Sequence, residues 1–141
     1  MRLWSFKQFR SANRRESITD WRKGLSPARQ AIFDVFLDRI AKMRTWPPGI
    51  CDPIRGHAGR WELRWTAEKV EHRIFGYYDG PLLFVMLIGC THKGRVYNPP
   101  EAFQTMDERT KKLANGEGSL CVYELFKRNG TDEQAISPRI N

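Results

Sequence analysis

The chain has 141 residues, a length that fits one domain able to bury a real core. It is 40% hydrophobic and 12% aromatic, with five Trp, which excludes wholesale disorder, and its formal net charge is +8. The longest apolar run, Leu82 to Ile88, falls far short of the roughly 20 residues that a spanning helix needs.

The opening Met1-Arg2-Leu3-Trp4-Ser5-Phe6-Lys7 carries no hydrophobic block of signal-peptide length, so a cytoplasmic location without membrane contact is expected. Cys51, Cys90 and Cys121 are odd in number, far apart and free of any CxxC. That excludes a disulfide framework and argues against zinc; no metal and no cofactor are expected. Residues 1–100 hold 18 basic against 9 acidic residues, and residues 101–141 hold 6 against 7. A basic body suits a polyanionic partner, either nucleic acid or an acidic protein, although a solvated basic surface would have the same composition.

In chain order, Leu3 to Phe9 reads as a first strand carrying Trp4, Phe6 and Phe9. Asn13-Arg14-Arg15-Glu16 has the spacing of a helix start, followed by a short helix with Ile18 and Trp21 that stops at Gly24. Ser26-Pro27 opens a second helix, whose Ile32, Phe33, Phe36, Leu37, Ile40 and Met43 share one face up to Trp46-Pro47-Pro48-Gly49. The two helices are expected to form a hairpin lying on a sheet. Asp34 and Asp38, one turn apart among basic neighbours, read as a solvated face.

Residues 49–59 read as a loop. Trp61 to Ala67 alternates strictly, with Trp61, Leu63, Trp65 and Ala67 on one side and Glu62, Arg64 and Thr66 on the other. His72 to Tyr78 reads as the next strand, turning at Asp79-Gly80 into Leu82 to Ile88, which is apolar on both faces and therefore central. Asn98-Pro99-Pro100-Glu101 predicts a capped helix carrying Ala102, Phe103, Met106, Thr110 and Leu113, ended by Asn115-Gly116. Leu120 to Phe126 predicts a last strand. The domain is expected over 1–126, with 127–141 a flexible tail.

Arg64 and Arg73 fall on neighbouring strands, where two fixed guanidiniums could grip a phosphate. Equally, each could pair with Glu62, Glu68 or Glu71 on an exposed sheet face. The segment Cys90-Thr91-His92-Lys93-Gly94-Arg95-Val96-Tyr97 gathers an imidazole, an ammonium, a guanidinium and a phenol. Such groups can cleave RNA without a metal: a base for the 2′-hydroxyl, cations for the phosphorane, an acid for the departing 5′-oxygen. His92 can move protons near neutral pH, whereas Lys93 or Tyr97 could do so only with lowered pKa values. A basic loop anchored by a buried Tyr fits the same residues. Arg60 and Arg95 complete the set expected to bind substrate. His57, between Gly56 and Ala58-Gly59, reads as a loop residue.

With these residues in view, the sequence resembles the RelE/ParE superfamily of toxins from type II toxin–antitoxin systems, closest to its HigB-like, phage-related branch. Trp61-Glu62-Leu63-Arg64 is similar to the branch's WELR strand, and His72-Arg73-Ile74-Phe75-Gly76-Tyr77-Tyr78 to its YRVFY strand. Leu87-Ile88-Gly89-Cys90-Thr91-His92-Lys93 is similar to LLHGFxKK, and Asn98-Pro99-Pro100-Glu101-Ala102 to TPxxEI. The likeness covers roughly residues 3–115. His72 stands in place of an aromatic residue, Gly76 interrupts the strand, and one lysine follows the central strand where two are common.

The resemblance implies a compact α+β RelE-like fold: a mostly antiparallel sheet, an N-terminal helical hairpin on one face and a C-terminal helix. It implies an endoribonuclease that cleaves mRNA on the ribosome to a 2′,3′-cyclic phosphate, inhibiting translation. The implied partners are a cognate antitoxin, through which an oligomer forms, and mRNA. Arg73, Lys93, His92 and Tyr97 become the expected catalytic residues, with Arg64, Arg95 and Arg60 on the substrate. The alternatives are a ParE-like gyrase inhibitor without nuclease activity, or a non-catalytic module that binds nucleic acid or protein.

Overall fold

The computed structural model describes residues 1–125 of the chain, in which residues 72–76 and 84–90 of the two central strands are buried on both faces of the sheet. The elements in order are β1 (Ser5–Ser11), α1 (Ser17–Lys23), α2 (Pro27–Ala41), β2 (Cys51–Pro53), β3 (Trp61–Ala67), β4 (Val70–Tyr78), β5 (Leu83–Lys93), β6 (Val96–Asn98), α3 (Ala102–Ala114) and β7 (Gly118–Val122). Among the described residues they form an α+β arrangement of three helices and an open, mostly antiparallel sheet. Strand order is β2-β3-β4-β5-β1-β7, with β6 added to β5. One pairing, β1 with β5, is parallel (Ser5 opposite Leu83 to Gln8 opposite Met86). Because β1 runs beside that half of β5, β6 pairs the other half, Thr91 to Lys93. The expected tail, 127–141, lies outside the described residues. Among those residues no helix is long and apolar enough to cross a membrane.

The strict pattern of Trp61–Ala67 gives β3 with the expected bounds. Leu63, Trp65 and Ala67 are buried with Phe6, Ile18, Phe33, Phe36, Leu37, Ile40, Ile74, Phe84 and Met86 in one core, which joins α1 and α2 to a face of the sheet. The opposite face carries Phe75, Val85, Leu87, Ile88 and Cys90 against Ala102 and Met106 of α3. Strand residues 74 and 75, or 84 and 85, divide between the two cores, as period-two geometry requires.

Several expectations are corrected. Helix α1 starts at Ser17, not at an Asn13 cap: the Asn13 side chain accepts from the Ser11 hydroxyl inside a turn, and Glu16 is the N-cap without a side-chain bond. Ser26 does cap α2, its hydroxyl accepting from Arg29 N–H at 3.2 Å, but Ile32 is 36% exposed and leaves the buried stripe. Asp34 and Asp38 are not a solvated face, since Asp34 binds Arg22 at 2.6 Å and Asp38 binds Arg2 and Lys42. The 49–59 loop contains β2, a three-residue edge strand too short to show a period. Asn98 belongs to β6, opposite Thr91, so it cannot cap; Glu101 precedes α3, and the Asn98–Pro99 bond is cis. The last strand is Gly118–Val122, earlier than Leu120–Phe126, because it pairs with β1 from Ser11 to Lys7.

β5 runs five residues beyond its apolar stretch, through Gly89-Cys90-Thr91-His92-Lys93, and so carries His92 into the sheet. Its pairing with β4 shifts between Phe75 and Gly76. Leu87 is the extra residue of that bulge, and Arg109 of α3 donates to its carbonyl at 2.7 Å.

Candidate functional site

Cross-strand register assembles the site in rows. In one row Arg64 of β3 is opposite Arg73 of β4, which is opposite Cys90 of β5. On one side of it lies the row Thr66, Glu71, His92 and then Tyr97 of β6; on the other lies Glu62, Phe75 and Ile88. Register partners share a face, so all these side chains are on the face that α3 partly covers. Phe75 packs under Phe103, at the start of α3, with ring centroids 4.7 Å apart, and Tyr97 meets the same ring at 5.0 Å.

Arg73 is the centre of the cluster and is buried, 6% exposed, rather than lying on an open polar face. Its Nε is 3.1 Å from Glu62 Oε1, without the angle of a hydrogen bond, and its Nη2 is 2.8 Å from Glu71 Oε1. The same Nη2 is 3.3 Å from His92 Nδ1. A guanidinium can only donate, so Nδ1 accepts, and the neutral imidazole carries its proton on Nε2. His92 in turn stacks on Tyr97 with centroids 4.4 Å apart.

Arg64 is bound to Asp52 of β2 at 3.0 Å, and Asp52 also accepts from Gly49 N–H at 3.2 Å. Gly49, Arg64, Thr66, Glu71 and Arg73 line an open cavity of about 150 Å³. A roomier one of about 490 Å³, between Gln8, Thr19, Arg22, Lys23 and Tyr123, holds none of the expected site residues.

The electrostatics follow from burial. The Glu62 carboxyl is pushed up by desolvation, which outweighs the pull of Arg73 and Arg64. Tyr97 is also raised by burial, against the lowering influence of Arg73; it therefore stays protonated at neutral pH, the opposite of what a base requires. Burial pushes the Cys90 thiol up to about 12, which removes it as a nucleophile. Bonding to Asp52 raises Arg64 further.

Of the expected residues, Arg64, Arg73, His92 and Tyr97 come together. Lys93 and Arg95 are exposed at the β5–β6 turn, and among the described residues neither makes a hydrogen bond or ion pair with the cluster. Strand alternation turns Lys93 to the face opposite His92. Arg60 lies elsewhere, over the Tyr77 ring at 4.9 Å and donating to Thr110 of α3 at 3.2 Å, where it clasps helix to sheet. His57 stacks on Phe103 at 5.0 Å and stands 3.6 Å from Asp107.

The residues that sequence reasoning missed as site members are Asp52, Glu62 and Glu71, the two glutamates having been read only as possible pairing partners of the arginines. The signal for Glu62 was there: it lies two positions before Arg64 on the same strand face. Nothing in the sequence marks Asp52 as a partner of Arg64, since β2 shows no periodicity. Among the described residues no group of three or more His, Cys, Asp or Glu is placed to hold a metal.

The arrangement offers paired guanidiniums, a half-buried carboxylate and an imidazole on one rigid patch. Groups of these kinds can bind an oxyanion and move a proton beside it, and here both guanidiniums are paired with carboxylates. No family model, curated protein or solved structure matches the chain.

Proposed function

We propose that this protein is a RelE/HigB-like toxin, a metal-independent endoribonuclease that cuts mRNA on the ribosome and is neutralised in the cytoplasm by an antitoxin. The observation that carries the reading is the Arg64–Arg73 register pair with His92 on the same sheet face. The four family-like motifs fall on β3, β4, β5 and the approach to α3, and three of them deliver that pair and His92.

In the proposed chemistry the 2′-oxygen attacks phosphorus as the bond to the 5′-oxygen breaks, leaving a 2′,3′-cyclic phosphate and a 5′-hydroxyl. Arg64 and Arg73 hold the phosphoryl oxygens and stabilise the added charge. Glu62, whose carboxyl burial raises, takes the proton of the 2′-hydroxyl. As the phosphate draws Arg73 away from His92, Nδ1 takes a proton from solvent while Nε2 gives its own to the 5′-oxygen, which leaves a neutral imidazole, and Glu62 afterwards returns the 2′-hydroxyl proton to solvent. Tyr97 supports the imidazole by stacking. Lys93 and Arg95 supply only general positive charge to the RNA.

The test is primer extension on a defined mRNA in a cell-free translation reaction, with wild type, Arg73→Lys and His92→Ala. New stops from wild type that both variants lack, with all three folded by circular dichroism, bear the reading out. Full-length transcripts with every protein sink it.

One observation favours a second reading, a non-catalytic binding module: both arginines are already held by carboxylates, Arg73 by Glu62 and Glu71 and Arg64 by Asp52. Salt-dependent RNA binding without products would select that reading, and loss of gyrase supercoiling would select the gyrase inhibitor.

A further inference from the structure

Glu62-Leu63-Arg64 on β3 and Glu71-His72-Arg73 on β4 repeat one pattern, a glutamate two residues before an arginine. Because Arg64 and Arg73 are register partners in an antiparallel pair, the two glutamates flank the arginine row from opposite sides. They are not equivalent. Glu62 is on the side covered by α3, with its side chain 18% exposed, against Arg73 Nε. Glu71 is on the open side, with its side chain 50% exposed, against Arg73 Nη2. Only Glu71 lines the 150 Å³ cavity shared by the two arginines.

The charge count bears on what this cavity can receive. Two guanidiniums face three carboxylates, so an incoming anion meets no cation that is not already paired. A phosphoryl oxygen and a carboxylate oxygen compete for the same N–H donors. A half-exposed pair is weak and exchanges readily, whereas a desolvated one holds.

We propose that Glu71 occupies the seat of a phosphodiester on Arg73, and that it swings into solvent when the phosphate of a single-stranded nucleic acid binds between Arg64 and Arg73. This deepens the nuclease reading, on whose phosphate site it rests, by naming the residue that sets the site's anion affinity. Glu71 is a positioning residue: it holds Arg73 in place at rest and yields to the ligand.

The experiment measures binding of a single-stranded DNA oligonucleotide, which lacks the 2′-hydroxyl and is not cut, and separately of inorganic phosphate. The proteins are wild type, Glu71→Gln and Glu101→Gln. Glu101 is exposed and outside the cluster, so the last variant makes the same charge change away from Arg73. Glu71→Gln is expected to bind the oligonucleotide about two- to fivefold tighter than wild type, the range of a half-exposed ion pair, while Glu101→Gln does not.

Equal or undetectable binding by wild type and Glu71→Gln overturns the proposal, as does an equal gain in Glu101→Gln. A gain for inorganic phosphate alone overturns the phosphodiester assignment. Cleavage of RNA is scored on the same samples. A binding gain without cleavage by any protein sinks the nuclease and keeps the gate; flat binding with cleavage intact does the reverse.

Discussion

Arg64 and Arg73 face each other directly across β3 and β4, and no backbone bonds run between them. The N–H of Arg64 instead donates to Ile50 O at 2.9 Å on the other side of the strand. In antiparallel sheets that kind of pair brings side chains closest, and like charges in it repel. The chain offsets the repulsion with Asp52, Glu62 and Glu71.

Removing Arg73 therefore disturbs the fold as well as the site. Arg73→Ala leaves Glu62 desolvated without its cation, and the expected loss is about 2–4 kcal/mol in urea unfolding. The double variant Glu62→Gln/Arg73→Gln is expected to lose less than Arg73→Ala, because no buried charge is stranded. A midpoint for Arg73→Ala equal to wild type would show that Glu62 is solvated. Activity tests at this position need Arg73→Lys, which keeps the charge and gives up the paired donors.

His92 and Lys93 are adjacent in sequence but separated by strand alternation. If RNA is cut as proposed, His92→Ala lowers the single-turnover rate by roughly 10²–10⁴-fold, the usual worth of a positioned proton-transfer group. Lys93→Ala changes it by less than about threefold, as loss of one solvated charge does. The reverse order would place the chemistry at the β5–β6 turn.

What could be read in the sequence was whatever had a period. Trp61–Ala67 showed its two faces outright, and Ser26-Pro27 marked the true start of α2. The elements misplaced were those whose position depends on distant pairing. Asn98 looks like a cap, yet it is bonded into β6, and β2 is defined only by its three partners on β3. The parallel β1–β5 contact leaves no local trace at all. For the site, residue spacing placed Arg64 and Arg73 on neighbouring strands, but His92 read as part of a loop after Ile88. Its place on the same face, the burial of Arg73 and its capture by two glutamates needed the extension of β5 and the full register.

Gly89 shows how tightly α1 is held against β5. A Cβ there would come within 2.3 Å of the Trp21 ring, and a fixed indole cannot yield by that much. Gly89→Ala is expected to lower Tm by roughly 5–15 °C, as over-packing of a core does. Gly24→Ala is the control: its Cβ would meet only Trp21 O at 3.4 Å, an ordinary contact. Its expected effect is within about 0.5 kcal/mol. Equal stability of the two variants would mean that α1 shifts freely on the sheet.

His72 makes the stability of this fold depend on pH. Its ring is 0% exposed, stacked at 5.6 Å on Trp65 and edge-on to Trp21 at 6.3 Å. Nδ1 lies 2.9 Å from Val70 O and donates to it, so Nε2 is the unprotonated nitrogen, buried without a partner. Burial lowers the imidazole below its ordinary 6.5; the bond to Val70 opposes this, Arg29 adds to the lowering, and Glu68 opposes more weakly. With the folded value below the unfolded one, the unfolded chain binds more protons, and stability falls as pH drops through 6.5. Each unit below removes up to about 1.4 kcal/mol until the folded-state value is reached. Glu62, whose carboxyl is raised above 4.5, acts in the opposite sense nearer that pH, and the lowered Asp38 matters only below 3.8. Urea midpoints measured between pH 7 and about 5.5 are expected to fall for wild type and to stay nearly level for His72→Phe, which keeps an aromatic ring in the stack and removes the titrating nitrogen. Parallel slopes in the two proteins would assign the dependence to other groups.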